Sequence, residues 1–257
     1  MGRATTAVSG APSPAAGSSA RPSPPTGPPT ASASSKPQPK AHRRRLARTR
    51  KLFSFDRGLG SRFVAGADEA GRGCLAGPLV AAAVLIDYEM LSPADRRALG
   101  GLHDSKQMSA EQRDELYPAV LRAAARVSVV VRCARGIDER GLHVTNLEAL
   151  SSALERLRPG DAACLVDGFA LRACAVPHRA VIEGDGTSAA IAAASVVAKV
   201  TRDRYMRDAA REHPGWGFDE HVGYSTPEHR AAIERIGISP LHRRSFQSVA
   251  YAQLELA

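Results

Sequence analysis

Acidic residues are absent from the first 51 positions, which hold ten of the chain's 35 Lys and Arg. The remaining positions carry 25 basic against 26 acidic residues, so the formal net charge of +9 belongs to the N-terminal segment and not to residues 52–257. Large apolar side chains are almost missing from residues 1–40, where nine of the 17 prolines lie. Such a segment buries too little apolar surface to offset its ordering entropy, and residues 1–51 are expected to be a disordered tail ending in the basic run His42–Lys51. That run adds salt-sensitive attraction to nucleic acid, or is a solvated extension produced by an upstream start codon. The dense proline of residues 1–40 argues against the amphipathic helix of a transit peptide. No uncharged apolar stretch reaches the roughly 18 residues of a membrane span, and no signal peptide pattern precedes the domain. The four cysteines have no Cys-x-x-Cys spacing, which excludes a zinc ribbon or dithiol motif and points to reduced, buried thiols in a cytoplasmic protein.

What is present begins at Phe63. An apolar lead-in delivers Asp68 and Glu69 directly before Gly71-Arg72-Gly73, and a second apolar run, Leu79–Ile86, turns back beside the first. Ionised groups at the end of a buried strand are costly unless paired, and a divalent cation is the usual partner of clustered carboxylates. The glycines leave backbone N–H groups open to a ligand. A phosphate-binding loop is excluded, because acids occupy the turn and no Gly-Lys-Ser/Thr comes after them. Taken alone, an Asp-Glu pair at a strand end also reads as a solvated turn.

Strand and helix patterns alternate from there. Strands are expected at 63–67, 79–86, 127–133, 163–166 and 180–182, and helices at 92–99, 109–126, 137–157 and 188–211. Ser109 with Gln112 has the spacing of a capping box, and Thr226-Pro227-Glu228 opens a last helix. The result is an α/β domain over 52–257, with a mixed five-stranded sheet flanked by helices and a C-terminal helical extension. Two more strands end in acids, at Asp167 in Cys164-Leu-Val-Asp-Gly and at Asp185 in Val181-Ile-Glu-Gly-Asp-Gly. Central strand ends lie close together, so Asp68, Glu69, Asp167 and Asp185 can converge. A donor set of oxygens without His or Cys favours Mg²⁺ or Mn²⁺.

Five stretches, in order, resemble the ribonuclease HII family: Asp68-Glu-Ala-Gly-Arg-Gly73, Asp104-Ser-Lys106, the Asp167 strand end, Gly184-Asp185 before Ile191-Ala-Ala-Ala-Ser-Val-Val-Ala-Lys-Val-Thr-Arg-Asp203, and His221-Val-Gly-Tyr-Ser-Thr226 with Arg243-Arg-Ser-Phe246. The resemblance covers about residues 60–248. It implies a ribonuclease H-like fold and a monomer that hydrolyses the RNA strand of RNA/DNA hybrids. It also implies cutting 5′ of ribonucleotides embedded in duplex DNA, a step in ribonucleotide removal, leaving 5′-phosphate and 3′-hydroxyl ends. Two divalent ions would sit on the four carboxylates, with Asp68 shared. Gly71, Arg72, Gly73 and Tyr224 would read the RNA–DNA junction, and Arg72 and Lys106 would contact phosphates. Two departures stand out: Gln107 replaces the family's usual second lysine, and Glu183 places an extra acid before Gly184-Asp185. Two rival readings are a DNA recombinase-type nuclease, which would cut all-DNA substrates, and a binding module with idle acids.

Overall fold

In the computed structural model, which describes residues 39–246, the elements run α1 (Pro39–Arg57), β1 (Phe63–Ala70), β2 (Leu79–Asp87), α2 (Pro93–Ala98), α3 (Ala110–Ala123), β3 (Arg126–Arg132), α4 (Ala134–Arg140), α5 (Leu142–Leu157), β4 (Ala163–Asp167), β5 (Arg179–Val181), α6 (Ala189–Glu212), α7 (Phe218–His221) and α8 (Pro227–Ile236). The five strands form one sheet in the order β3-β2-β1-β4-β5. β1 and β3 pair antiparallel with β2, whereas β4 pairs parallel with both β1 and β5. The mixed sheet and its helical C-terminal extension match expectation.

Strand periodicity divides the core into two layers. In β2, Val80, Ala82, Val84 and Ile86 pack with α6, while Leu79, Ala81, Ala83 and Leu85 pack with α5. Helix α6 comes unusually near the sheet because its first six residues include only one side chain larger than alanine. A Cβ on Gly66 would stand 2.2 Å from Ala190 C and Ile191 N, so the bare strand and the alanine helix fit only each other.

Three expectations change. The basic run His42–Lys51, assigned to the tail from composition, lies within α1; residues 1–38 fall outside the described residues. Thr49, Leu52, Phe53 and Asp56 share one face of α1 and are buried, with Arg50, Lys51 and Arg57 exposed. Averaged composition hides that face. Leu52 and Phe53 enter the core, and Thr49 Oγ1 donates to Leu102 O at 3.0 Å. Asp56 Oδ2 accepts from Tyr88 Oη at 2.7 Å and from Ala190 N at 2.9 Å, holding a carboxylate at the N-terminus of α6. Asp56→Ala is expected to cost about 1–3 kcal/mol by stranding these donors. Urea unfolding checks this, and an unchanged midpoint would mean that α1 docks without the tether.

The helical pattern at 137–157 is broken into α4 and α5 at Gly141, which has a φ of +82°. A glycine tolerates that left-handed backbone, so the chain turns while the leucine spacing continues. The thiols are all unpaired, but only Cys74 and Cys164 are buried; Cys174 is half-buried and Cys133 exposed. Among the described residues no helix is long and apolar enough to cross a membrane.

Candidate active site

The alternation that divides the core also separates the Asp68-Glu69 pair. Asp68 turns toward α6, where it meets the Ser195 hydroxyl, and its Oδ1 accepts from Glu69 N at 2.7 Å. Glu69 turns toward α5 and lies beside the buried Asn146, with Arg72 Nη1 at 3.9 Å. The parallel β1–β4 register pairs Ala67 with Val166, which carries Asp167 to the level of Asp68. Asp167 Oδ1 accepts from Gly184 N at 2.7 Å, tying the β4 end to the 3₁₀ turn Gly184–Gly186 that presents Asp185. Ser188 caps α6 immediately afterwards.

Asp68, Glu69 and Asp185 all carry a raised pKa, through burial and the charge of neighbouring acids. Burial pushes Asp68 well above the ordinary carboxylate range, and the charges of Glu69, Asp167 and Asp185 push it further. Glu69 is also raised, by burial and by Asp167, despite the opposing pull of Arg72 and Asn146. Asp185 rises to about 6, through burial and then Asp104, with Lys106 opposing. Burial works against the Lys106 ammonium, yet Asp185, Asp68, Asp104 and Asp167 together hold its pKa above the usual value. Asp185 Oδ2 is buried and accepts no hydrogen bond; Lys106 Nζ stands 3.9 Å away as its ion-pair partner. Among the described residues no three His, Cys, Asp or Glu side chains are already closed around one point. An acid cluster short of positive charge, all oxygen in its donors and with an orphaned carboxylate oxygen, nevertheless suits hard divalent cations.

A cleft of about 960 Å³ opens over this cluster, lined by Asp68, Glu69, Arg72, Lys106, Asp167 and Tyr224 among others. Gly71 has a φ of +88°, and the Arg72 guanidinium lies 5.4 Å from the Phe169 ring centroid. Tyr224 is 38 % exposed. Lys199 Nζ stands 4.8 Å from its ring centroid, and burial together with Cys74 pushes the phenol up to about 12. The Tyr224 carbonyl is bonded to His229 Nδ1 at 2.8 Å, and His229 stacks on His221 and meets His242 through their Nε2 atoms at 3.1 Å, in a buried aromatic group with Phe218. Tyr224 is therefore mounted on a packed base.

One of the two departures has a structural role, and the other faces solvent. Gln107 Nε2 donates to Asp104 Oδ2 at 2.8 Å while its Oε1 accepts from Arg48 Nη1 at 3.1 Å, linking α1 to the Asp104 loop. Glu183 lies beyond β5, exposed, with a φ of +52°, and Asp185 is raised by Asp104 and Asp167 instead. Sequence reasoning missed Asp104, Asn146 and Ser195 as neighbours of the acids. A signal existed for Asn146: it comes directly after Thr145 on the otherwise apolar buried face of α5. Ser105 Oγ meets Ser195 Oγ at 2.7 Å behind Asp68, a contact across 90 positions with no local signature.

The profile described as ribonuclease HII matches residues 65–249 of the chain. The chain belongs to the ribonuclease HII family. Membership makes it a nuclease and a hydrolase, cutting within the strand. It is 49 % identical over 192 residues to the ribonuclease HII of Nocardia farcinica, covering 75 % of this chain and 74 % of the relative. Against that of Geobacillus kaustophilus it is 43 % identical over 205 residues, covering 79 % and 76 %. Among solved structures, the ribonuclease H2 of Pyrococcus horikoshii superposes with a TM-score of 0.62 at 27 % identity, covering 76 % of this chain and 97 % of that one. A ribonuclease HII solved with PCNA, from Archaeoglobus fulgidus, gives 0.61 at 26 %, covering 72 % and 96 %. The ribonuclease HII profile begins within β1, so α1 precedes the matched region.

Proposed function

We propose that the chain hydrolyses the RNA strand of RNA/DNA hybrids and cuts 5′ of single ribonucleotides in duplex DNA, leaving 5′-phosphate and 3′-hydroxyl ends. In this reading it works as a cytoplasmic monomer in ribonucleotide removal, with a catalytic domain that extends N-terminally to include α1. The observation that carries the reading is the juxtaposition in one cleft of Asp68, Glu69 and Asp167 with the Gly71-Arg72-Gly73 loop, with Asp185 near enough to add its charge to the repulsion on Asp68.

Asp68, Glu69, Asp167 and Asp185 would hold two Mg²⁺ or Mn²⁺ ions, Asp68 between them. When bound, the ions supply positive charge to the attacking and departing oxygens of the phosphodiester. The chain's own groups supply position and selectivity. Ser195 and the Glu69 amide orient Asp68, the Gly184 amide orients Asp167, and Arg72 and Lys106 meet phosphates at the rim. The amides of the glycine loop bond the 2′-hydroxyl, which distinguishes RNA from DNA. Tyr224 packs on the deoxyribose next to the ribonucleotide, held by Lys199 and by His229 beneath it.

The test is cleavage of a labelled DNA duplex carrying one ribonucleotide, with Mg²⁺ or Mn²⁺, beside an RNA/DNA hybrid and an all-DNA duplex. A single cut 5′ of the ribonucleotide is expected. Cutting of the all-DNA duplex would instead favour the recombinase-type reading, and no cut on any substrate would favour a binding module. In the same assay Tyr224→Ala is expected to slow single-ribonucleotide cleavage about ten- to a hundredfold, the scale of one lost aromatic contact, and hybrid cleavage less. Equal losses on both substrates would remove the junction role of Tyr224.

A further inference from the structure

Arg243 and Arg202 are the largest side chains fully withdrawn from solvent. A buried guanidinium is tolerated only where its N–H groups find acceptors. For both residues the acceptors are main-chain carbonyls, most of them in the loop after β1. Arg243 Nη2 donates to Gly71 O at 2.7 Å and to Gly77 O at 2.9 Å, Nη1 donates to Arg72 O at 3.0 Å, and Nε donates to Gly77 O at 3.1 Å. Its own amide donates to Leu75 O at 2.9 Å, and His242 bridges Ala76. From the other side Arg202 donates to Pro78 O, Ala76 O and Val222 O at 2.9–3.0 Å, which joins the same loop to the turn before Tyr224.

Peptide geometry turns these bonds into a constraint on the loop's amides. In a trans peptide the C=O and the N–H point in opposite directions. Gly71 O shares its peptide with the Arg72 N–H, and Arg72 O shares its peptide with the Gly73 N–H. With both oxygens drawn inward by one planar guanidinium, the Arg72 and Gly73 amides are turned the other way. Among the described residues neither amide donates to any main-chain acceptor, and all three residues line the cleft over the acids. A Cβ on Gly73 would meet nothing within 4 Å, so that side of the loop is open.

We infer that Arg243 is a positioning residue for ribonucleotide recognition: it locks the two peptides so that their amides face the substrate's 2′-hydroxyl. The inference rests on the proposed role of the Gly71–Gly73 loop. Lysine cannot replace it, because a single ammonium lacks the planar fork that holds neighbouring carbonyls in a fixed relation. A hybrid offers a run of 2′-hydroxyls and several registers, whereas a lone ribonucleotide offers one. Misaligned amides therefore penalise the lone ribonucleotide more.

The experiment compares wild type and Arg243→Lys on the single-ribonucleotide duplex and on the hybrid, with thermal melting of each protein alongside. The expected result is a fall of about ten- to a hundredfold in the ratio of single-ribonucleotide to hybrid cleavage, the scale of a small misplacement of a reacting group. A purely structural role would lower the active fraction and slow both substrates in proportion, leaving the ratio unchanged. Asp138→Ala provides a second variant that spares the buried core. Asp138 accepts from Arg244 N at 3.0 Å, Ser245 N at 2.8 Å and Ser245 Oγ at 2.6 Å, and so anchors the turn after Arg243 to α4. Its ratio is expected to fall in the same direction by a smaller factor, and it decides the matter if Arg243→Lys does not fold. An unchanged ratio in every folded variant overturns the inference while wild-type cleavage stands. Failure of wild type to cut either substrate overturns the proposed activity itself.

Discussion

Asp68→Asn is expected to abolish cleavage, by at least about a thousandfold, while the protein stays folded. The rate loss is of the scale found when a group that organises charge at a reacting centre is removed, and Asp68 is the acid that all three others repel. The stability argument has the opposite sign from that for most buried polar groups. The folded-state pKa of Asp68 lies above its unfolded value, so the ionised carboxylate costs stability at neutral pH, and that cost disappears as pH falls through the folded pKa. In metal-free buffer the urea midpoint of Asp68→Asn is therefore expected to equal or exceed that of wild type near neutrality, with the gap closing toward acid. The Ser195 hydroxyl still finds an amide oxygen to bond. Wild-type turnover in this variant would sink the reading of the acids as metal ligands; full rate loss with collapse of the fold would sink the claim that their repulsion is stored in the native state.

Gly66→Ala is expected to be the most damaging single-methyl change, costing about 3 kcal/mol or more. Overpacking usually costs less than this because side chains can rotate away. Here the added carbon would stand 2.2 Å from the backbone of α6 at Ala190 and Ile191, and a helix backbone has no rotamer to change. The helix must move outward, taking Ser195 from Asp68 and shifting the turn that carries Asp185. Activity is expected to fall together with stability. Urea unfolding with cleavage on the same preparation checks both, and a midpoint within about 1 kcal/mol of wild type would show that α6 is not held against β1 as closely as this contact implies.

How much could be read from the sequence varied with the range of the interaction responsible. Ser109 and Gln112 form the capping box that their spacing announces, and Thr226 caps α8 with Pro227 at its first position. These bonds span three residues and need no partner element. The strands leading to Asp68, Asp167 and Asp185 were legible because short apolar runs bounded by glycine turns have the length and pattern of buried strands. Helix α1 was not, because Asp56 gains its meaning from Tyr88 and Ala190, the latter 134 positions away.

Residue identity and local pattern thus determined the fold class, the four acids and the glycine loop beside them. The tertiary structure alone decided that Asp68 and Glu69 serve opposite faces of the sheet, that Asp104 joins Asp185, and that Arg243 reaches Gly71 across 172 positions. The reason is physical: caps and periodicity act within one or two turns of chain. The charge of an acid cluster and the direction of a peptide dipole, by contrast, depend on which distant segments the core brings together.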